Sequence, residues 1–144
     1  MAFAIVAVCG LIHVSVIVVF AQFLLRKLPV ETLTRLRHQA LVLVLVFGVV
    51  TLLSLVEAGI WAGFYYFREL FPDFETSFYF SLGTYSTIGY GDVVLPQRWR
   101  LLGGIEGISG VLLCGLSAAF VFAVLNTLFQ SRIQRSLSKV TVLE

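Results

Sequence analysis

The stretch Thr84-Tyr85-Ser86-Thr87-Ile88-Gly89-Tyr90-Gly91-Asp92 decides the architecture. Taken alone, Gly-Tyr-Gly-Asp reads as a tight turn, because glycine reaches backbone angles that other residues avoid. Its surroundings change that reading. The run Pro72 to Tyr85 just ahead of it is apolar and aromatic but only 14 residues long. Crossing a bilayer takes about 20 apolar residues, so the run is predicted to be a re-entrant helix buried in protein. Phe71-Pro72-Asp73-Phe74-Glu75 marks its start. Proline is expected at the first helical position, and the acids suit the positive end of the helix dipole.

Working outward, Leu41 to Phe67 and Trp99 to Phe129 are each long enough to span, and Ala2 to Leu25 adds a third span. The first has no basic leading segment and no small-residue cleavage site, and its apolar length exceeds that of a signal peptide. It is expected to be a retained helix. The last is longer than a core of about 30 Å requires, so it should tilt or project into water. Composition agrees: the 144 residues are 59% hydrophobic and 12% charged, with mean hydropathy +0.98. A soluble domain carries about 25% charged residues. The net charge of +2 is too small to suggest nucleic-acid binding. Cys9 and Cys114 both lie in apolar runs, so no disulfide framework is expected.

The charges have an order. Arg26, Lys27, Arg35 and Arg37 follow the first span, and Arg132, Arg135 and Lys139 follow the last. Arg68, Arg98 and Arg100 lie between the second and third spans. The positive-inside bias places the first loop and the tail in the cytoplasm and the N-terminus outside the plasma membrane. Glu69, Asp73, Glu75 and Asp92 then fall in the outer segment, where they would concentrate cations. The first span has no arginines at three-residue spacing, so no voltage sensor of the usual kind is expected. The 15 residues after Phe129 are too few for a sensing domain. No metal, nucleotide or nucleophile motif is seen, so no enzymatic activity is expected.

Thr87-Ile88-Gly89-Tyr90-Gly91 followed by Asp92 resembles the potassium-channel signature, with Ile88 where valine is commoner. The Tyr79-Phe80-Ser81 and Trp99-Arg100-Leu101-Leu102 segments are similar to those of small bacterial members. The resemblance runs from the second span through the third, and the first span is extra to the minimal pore. It implies an all-α membrane protein: three transmembrane helices, a re-entrant pore helix and a selectivity-filter loop. Residues 1–38 would be the N-terminal helix and cytoplasmic loop, 39–130 the pore domain and 131–144 a short cytoplasmic tail. It implies passive K⁺ conduction, with K⁺ as permeant ion held at Thr87, Ile88, Gly89 and Tyr90 of a filter ending at Gly91. Carbonyl rings from four chains replace the ion's hydration shell, so a homotetramer in lipid is expected, with no nucleic-acid partner and no soluble small-molecule substrate. Tyr90 should turn outward and wedge the loop against the pore helix, while Thr84 to Ser86 aim the negative end of that helix at the axis. A weakly selective cation channel, an uptake-type transporter subunit and a non-conducting regulatory protein are the competing classes.

The third span must line the pore below the filter. Close packing is assigned to Gly103, Gly104 and Gly107. Gly110 and Gly115 align with the paired inner-helix glycines of the family, and Gly110 is the candidate hinge, with packing as the competing reading. Cys114, Ala118, Phe122 and Asn126 share a face at i, i+4 spacing. Phe122 is either a gating constriction or a packed, lipid-facing side chain.

Three ionisable residues, His13, Glu57 and Glu106, fall inside spans, where each needs a partner. The family commonly places a carboxylate on the pore helix to hold the aspartate after the filter; the matching position here is Gly83. Thr84, Asp92, Glu57 and Glu106 are therefore candidate filter supports, with Glu106 or Glu57 replacing the missing anchor of Asp92. Glu106 is expected against the back of the filter or the pore helix. The competing reading for both carboxylates is a structural hydrogen bond to Tyr, Trp or Ser. His13 is expected to pack or hydrogen-bond.

Overall fold

The computed structural model describes residues 1–27 and 36–141. It is all-α: α1 (Ala2–Lys27), α2 (Leu36–Phe67), the short α3 (Phe74–Tyr85), a 3-10 turn (Gln97–Trp99) and α4 (Arg100–Thr141). Three helices, α1, α2 and α4, are long and apolar enough to cross a membrane, and the 12-residue α3 is not.

The ends of these helices have local causes. At the end of α2 the N–H of Glu69 bonds the carbonyl of Tyr66 and the N–H of Leu70 that of Tyr65. This is a Schellman closure, whose turning residue must be left-handed. That residue is Glu69, with φ 54°, where glycine would be the unstrained choice. Helix α3 opens on Asp73, whose side chain accepts the N–H of Thr76 at 2.7 Å. Pro72 thus precedes the cap instead of occupying the first helical position, because Asp73 satisfies a free N–H that proline could only omit.

Two further expectations change. Helix α2 begins at Leu36, so Arg37 belongs to the helix and not to the preceding loop. Helix α4 runs unbroken to Thr141, so residues 131–141 continue the helix beyond the expected end of the span at Phe129. No glycine or proline follows Gly115 to stop it. At 42 residues it is about 60 Å long, twice a bilayer core. Arg35 and the side chains of Lys27, Arg132, Arg135 and Lys139 lie outside the described residues.

Helix α3 packs against α2 and α4, while the backbone of α1 lies against α2 and α4 and not against α3. Around α3 the core joins Cys9, Ala58, Trp61, Tyr65, Tyr85 and Leu95, with Phe71, Phe78 and Phe80 against them. A second, smaller cluster of Val42, Val46 and Leu128 closes the other end, flanked by Phe20 and Phe120. Large apolar side chains such as Phe3, Leu45, Leu101 and Phe122 stay exposed, as they must in a chain whose surroundings are apolar.

Candidate functional site

The loop that leaves α3 is shaped by the helix end itself. Ser86 caps α3: both its N–H and its hydroxyl reach the Leu82 carbonyl, at 3.1 and 2.6 Å. The N–H of Thr87 bonds the Thr84 carbonyl at 3.0 Å, and that of Gly89 the Gly83 carbonyl at 2.9 Å. Beyond the cap the backbone alternates in hand. Thr87, Gly89 and Gly91 have φ of 63°, 55° and 79°, whereas Ile88 and Tyr90 between them stay at negative φ. Positive φ at every second residue re-aims the peptide groups of the loop one after another. Glycine fits two of the left-handed positions without strain.

Tyr79, one helical turn before Gly83, holds the loop from behind. Its hydroxyl donates to Asp92 Oδ2 at 2.7 Å, and its ring stacks on Tyr90 with centroids 6.2 Å apart and planes 8° apart. The Tyr79 hydroxyl holds the Asp92 carboxyl below the usual aspartate range. Asp92 Oδ1 also accepts the N–H of Val93 at 3.0 Å. Neither Glu57 nor Glu106 is therefore the anchor of Asp92, which corrects the expectation from sequence. Gly83 and Tyr79 share one face of α3 at i, i+4 spacing, and a tyrosine hydroxyl spans the distance that a carboxylate at Gly83 would have closed. A cavity of about 230 Å³ remains there, lined by Tyr79, Gly83, Thr84, Tyr90 and Asp92 among others.

The two intramembrane carboxylates sit deeper. Glu106 of α4 is fully buried. It accepts the Tyr65 hydroxyl at 2.6 Å and meets Ser81 Oγ on α3 at 2.5 Å. Ser81 Oγ also lies 2.7 Å from the Ala58 carbonyl, so its one proton serves two acceptors. Glu57 of α2 accepts the Tyr85 hydroxyl and lies 2.9 Å from His13 Nδ1. Glu106 is thus hydrogen-bonded to Tyr65 and Ser81, and Glu57 to Tyr85 and His13. Sequence reasoning missed Tyr65, Tyr79, Ser81, Tyr85 and Ser117 as partners. The signal available for Tyr79 was its spacing from Gly83.

The glycines of α4 divide differently from expectation. A Cβ on Gly103 would meet Phe80 at 3.4 Å, and one on Gly107 the Thr84 carbonyl at 3.5 Å, so both lie at the α3 contact. Gly104 has nothing within 4 Å in the single chain and so does not lie at the α3 contact. Gly110 does, because a Cβ there would stand 2.1 Å from the Tyr85 carbonyl oxygen. Gly115 meets nothing within 4 Å. Further along, Cys114, Ala118, Phe122 and Asn126 are all exposed in the single chain.

A family model described as an ion channel matches residues 39–127, more than half of the 144-residue chain. No curated protein and no solved structure matches the chain. The matched region holds α3, the alternating loop and the two long helices that frame them, in a chain whose three apolar helices make it a multi-pass membrane protein. The chain belongs to the ion channel family.

Proposed function

We propose that this ion channel is potassium-selective, and that Thr87-Ile88-Gly89-Tyr90-Gly91 is its filter. The observation that carries the reading is the alternation of backbone hand at Thr87, Gly89 and Gly91, directly after a helix too short to cross a bilayer. Such a loop offers a file of carbonyl dipoles at the spacing of the chain, which suits a bare monovalent cation. Thr87 adds its hydroxyl at the end nearest α3. Tyr90 and Asp92, fixed by Tyr79, hold the other end.

One chain supplies one wall of that file. Residues 86–92 are all exposed in the single subunit, with Ile88 at 58% and Tyr90 at 68%. Exposed apolar side chains beside a polar loop need covering, and four copies around an axis cover them while completing the carbonyl rings. The working unit is a homotetramer with α4 innermost, its exposed Cys114, Ala118, Phe122 and Asn126 face lining the path below the filter. On the positive-inside bias, the C-terminal end of α1, with Arg26 and Lys27, and the end of α4 lie on the cytoplasmic side and the N-terminus outside. A bend of α4 at Gly110 has to carry the end of α3 with it, whereas one at Gly115 does not.

The test is reconstitution in liposomes. Purified protein should run as a particle of four 16.0 kDa chains and pass K⁺ in strong preference to Na⁺. Equal K⁺ and Na⁺ flux would replace this reading with a weakly selective cation channel.

A further inference from the structure

Helix α1 lies outside the matched region, and an ion channel can be built from α2 to α4 without it. Yet α1 brings a fully buried histidine into the bundle. His13 Nδ1 lies 2.9 Å from Glu57 Oε1, and its Nε2 lies 3.1 Å from Ser117 Oγ. An imidazole that donates its Nδ1–H to the carboxylate keeps Nε2 as acceptor for the Ser117 hydroxyl, so both contacts close together. The second oxygen of Glu57 accepts the hydroxyl of Tyr85. A single polar chain therefore joins all four helices: Ser117 on α4, His13 on α1, Glu57 on α2 and Tyr85 on α3. Each of the four residues is buried.

Where this chain ends gives it meaning. Tyr85 is the last residue of α3, and Thr87 follows two positions later. Its hydroxyl is held by Glu57, and its backbone carbonyl lies against α4 at Gly110. Polar contacts that merely bind helices together could sit at any depth in the bundle. This one terminates on the residue from which the loop departs. The backbone of α1 does not touch α3, so side chains carry its influence there, and His13 reaches Tyr85 through the Glu57 carboxylate.

We propose that α1 supplies His13 as a positioning residue for the filter. His13 orients Glu57, Glu57 fixes the Tyr85 hydroxyl, and Tyr85 sets the end of α3 from which Thr87 emerges. This rests on the reading of residues 87–91 as the filter. Losing one buried hydrogen bond of ordinary worth shifts a two-state equilibrium about tenfold, so the conducting state of the filter should respond on that scale.

The test uses the full-length channel in liposomes and planar bilayers, with open lifetime and K⁺/Na⁺ permeability ratio as readouts. His13→Leu fills the same space without polar atoms; His13→Asn keeps an N–H donor toward Glu57; Tyr85→Phe removes only the hydroxyl. His13→Leu and Tyr85→Phe should each shorten the open lifetime about tenfold. The double variant should be no worse than either single one, and His13→Asn should restore most of the loss. A role confined to holding helices together would lower the yield of assembled particles without changing open lifetime, and His13→Asn would restore only the yield. Wild-type lifetimes in assembled His13→Leu, or effects of the two changes that multiply independently, would overturn the proposal. If His13→Leu does not assemble, Tyr85→Phe decides: wild-type lifetimes there overturn it equally. A wild-type channel that passes Na⁺ as well as K⁺ overturns the selectivity reading instead, and the comparison of open lifetimes still decides the role of His13.

Discussion

Gly110 of α4 and Tyr85 of α3 meet backbone to backbone: a Cβ on Gly110 would stand 2.1 Å from the Tyr85 carbonyl oxygen. No rotamer change can relieve such an overlap, because the obstructing atom belongs to the main chain. Gly110→Ala should therefore push α4 off the end of α3 and cost about 1–3 kcal/mol or more per subunit. Gly115→Ala, with nothing within 4 Å of its own chain, should leave the packing within the subunit unchanged. Thermal stability of the detergent-solubilised particle measures both. Equal stability of Gly110→Ala and wild type would show that the two helices are not locked at this point.

Gly89 calls for a different argument. A Cβ there would meet nothing within 4 Å of its own chain, but φ is 55°. The left-handed region costs an L-residue about 1–2 kcal/mol, repeated in every copy of the loop. Gly89→Ala should insert and assemble normally yet abolish K⁺ flux. Normal selective flux in that variant would refute the filter assignment.

Tyr79→Phe keeps the ring stacked on Tyr90 and removes only the hydroxyl that Asp92 accepts. That hydroxyl is the largest cause holding the Asp92 carboxyl below its ordinary value of 3.8. A depressed carboxyl contributes stability above its ordinary value and loses it as pH falls through the lower, folded value. Without the hydroxyl the loss should begin at a higher pH. Flux recorded against bath pH should show the acid side of the profile moving upward in Tyr79→Phe. An unmoved profile would mean that Asp92 does not govern it.

Glu106 meets the hydroxyls of Tyr65 and Ser81 with one oxygen each. An amide in its place offers an oxygen to Tyr65 and an N–H to Ser81, so Glu106→Gln should retain assembly. Glu106→Ala leaves both buried hydroxyls without this partner, at about 1–3 kcal/mol. Its particle should melt well below the Gln variant. Indistinguishable melting of the Ala and Gln variants would rule out a holding role for these contacts.

Glu69 occupies the left-handed position of the Schellman closure at the end of α2. Glycine removes that strain, so Glu69→Gly should stabilise the protein by about 1 kcal/mol, less the extra freedom glycine gives the unfolded chain. A raised melting temperature with unchanged flux is the expected result. A lowered one would mean that the Glu69 side chain contributes more than its backbone costs.

Much of this architecture was legible in one dimension. Spans need a length of apolar sequence and nothing else, so α1, α2 and α4 follow from composition, and the shortness of α3 follows from the same count. The loop was legible because its backbone angles demand glycine at particular spacings, and such demands are written residue by residue. Helix ends were less so: Pro72 and Asp73 compete for the same start, and only the hydrogen bond to Thr76 decides between them. Tertiary structure alone decided who meets whom. Tyr79 and not a buried glutamate holds Asp92; Gly110 and not Gly104 meets α3; His13 reaches Tyr85 by way of Glu57. These pairings join residues as far apart in sequence as His13 and Ser117. A buried carboxylate in the sequence announces that it needs a partner, because leaving it unpaired in an apolar bundle is costly. It cannot name that partner, because the choice depends on the rotation and depth at which each helix packs against the others.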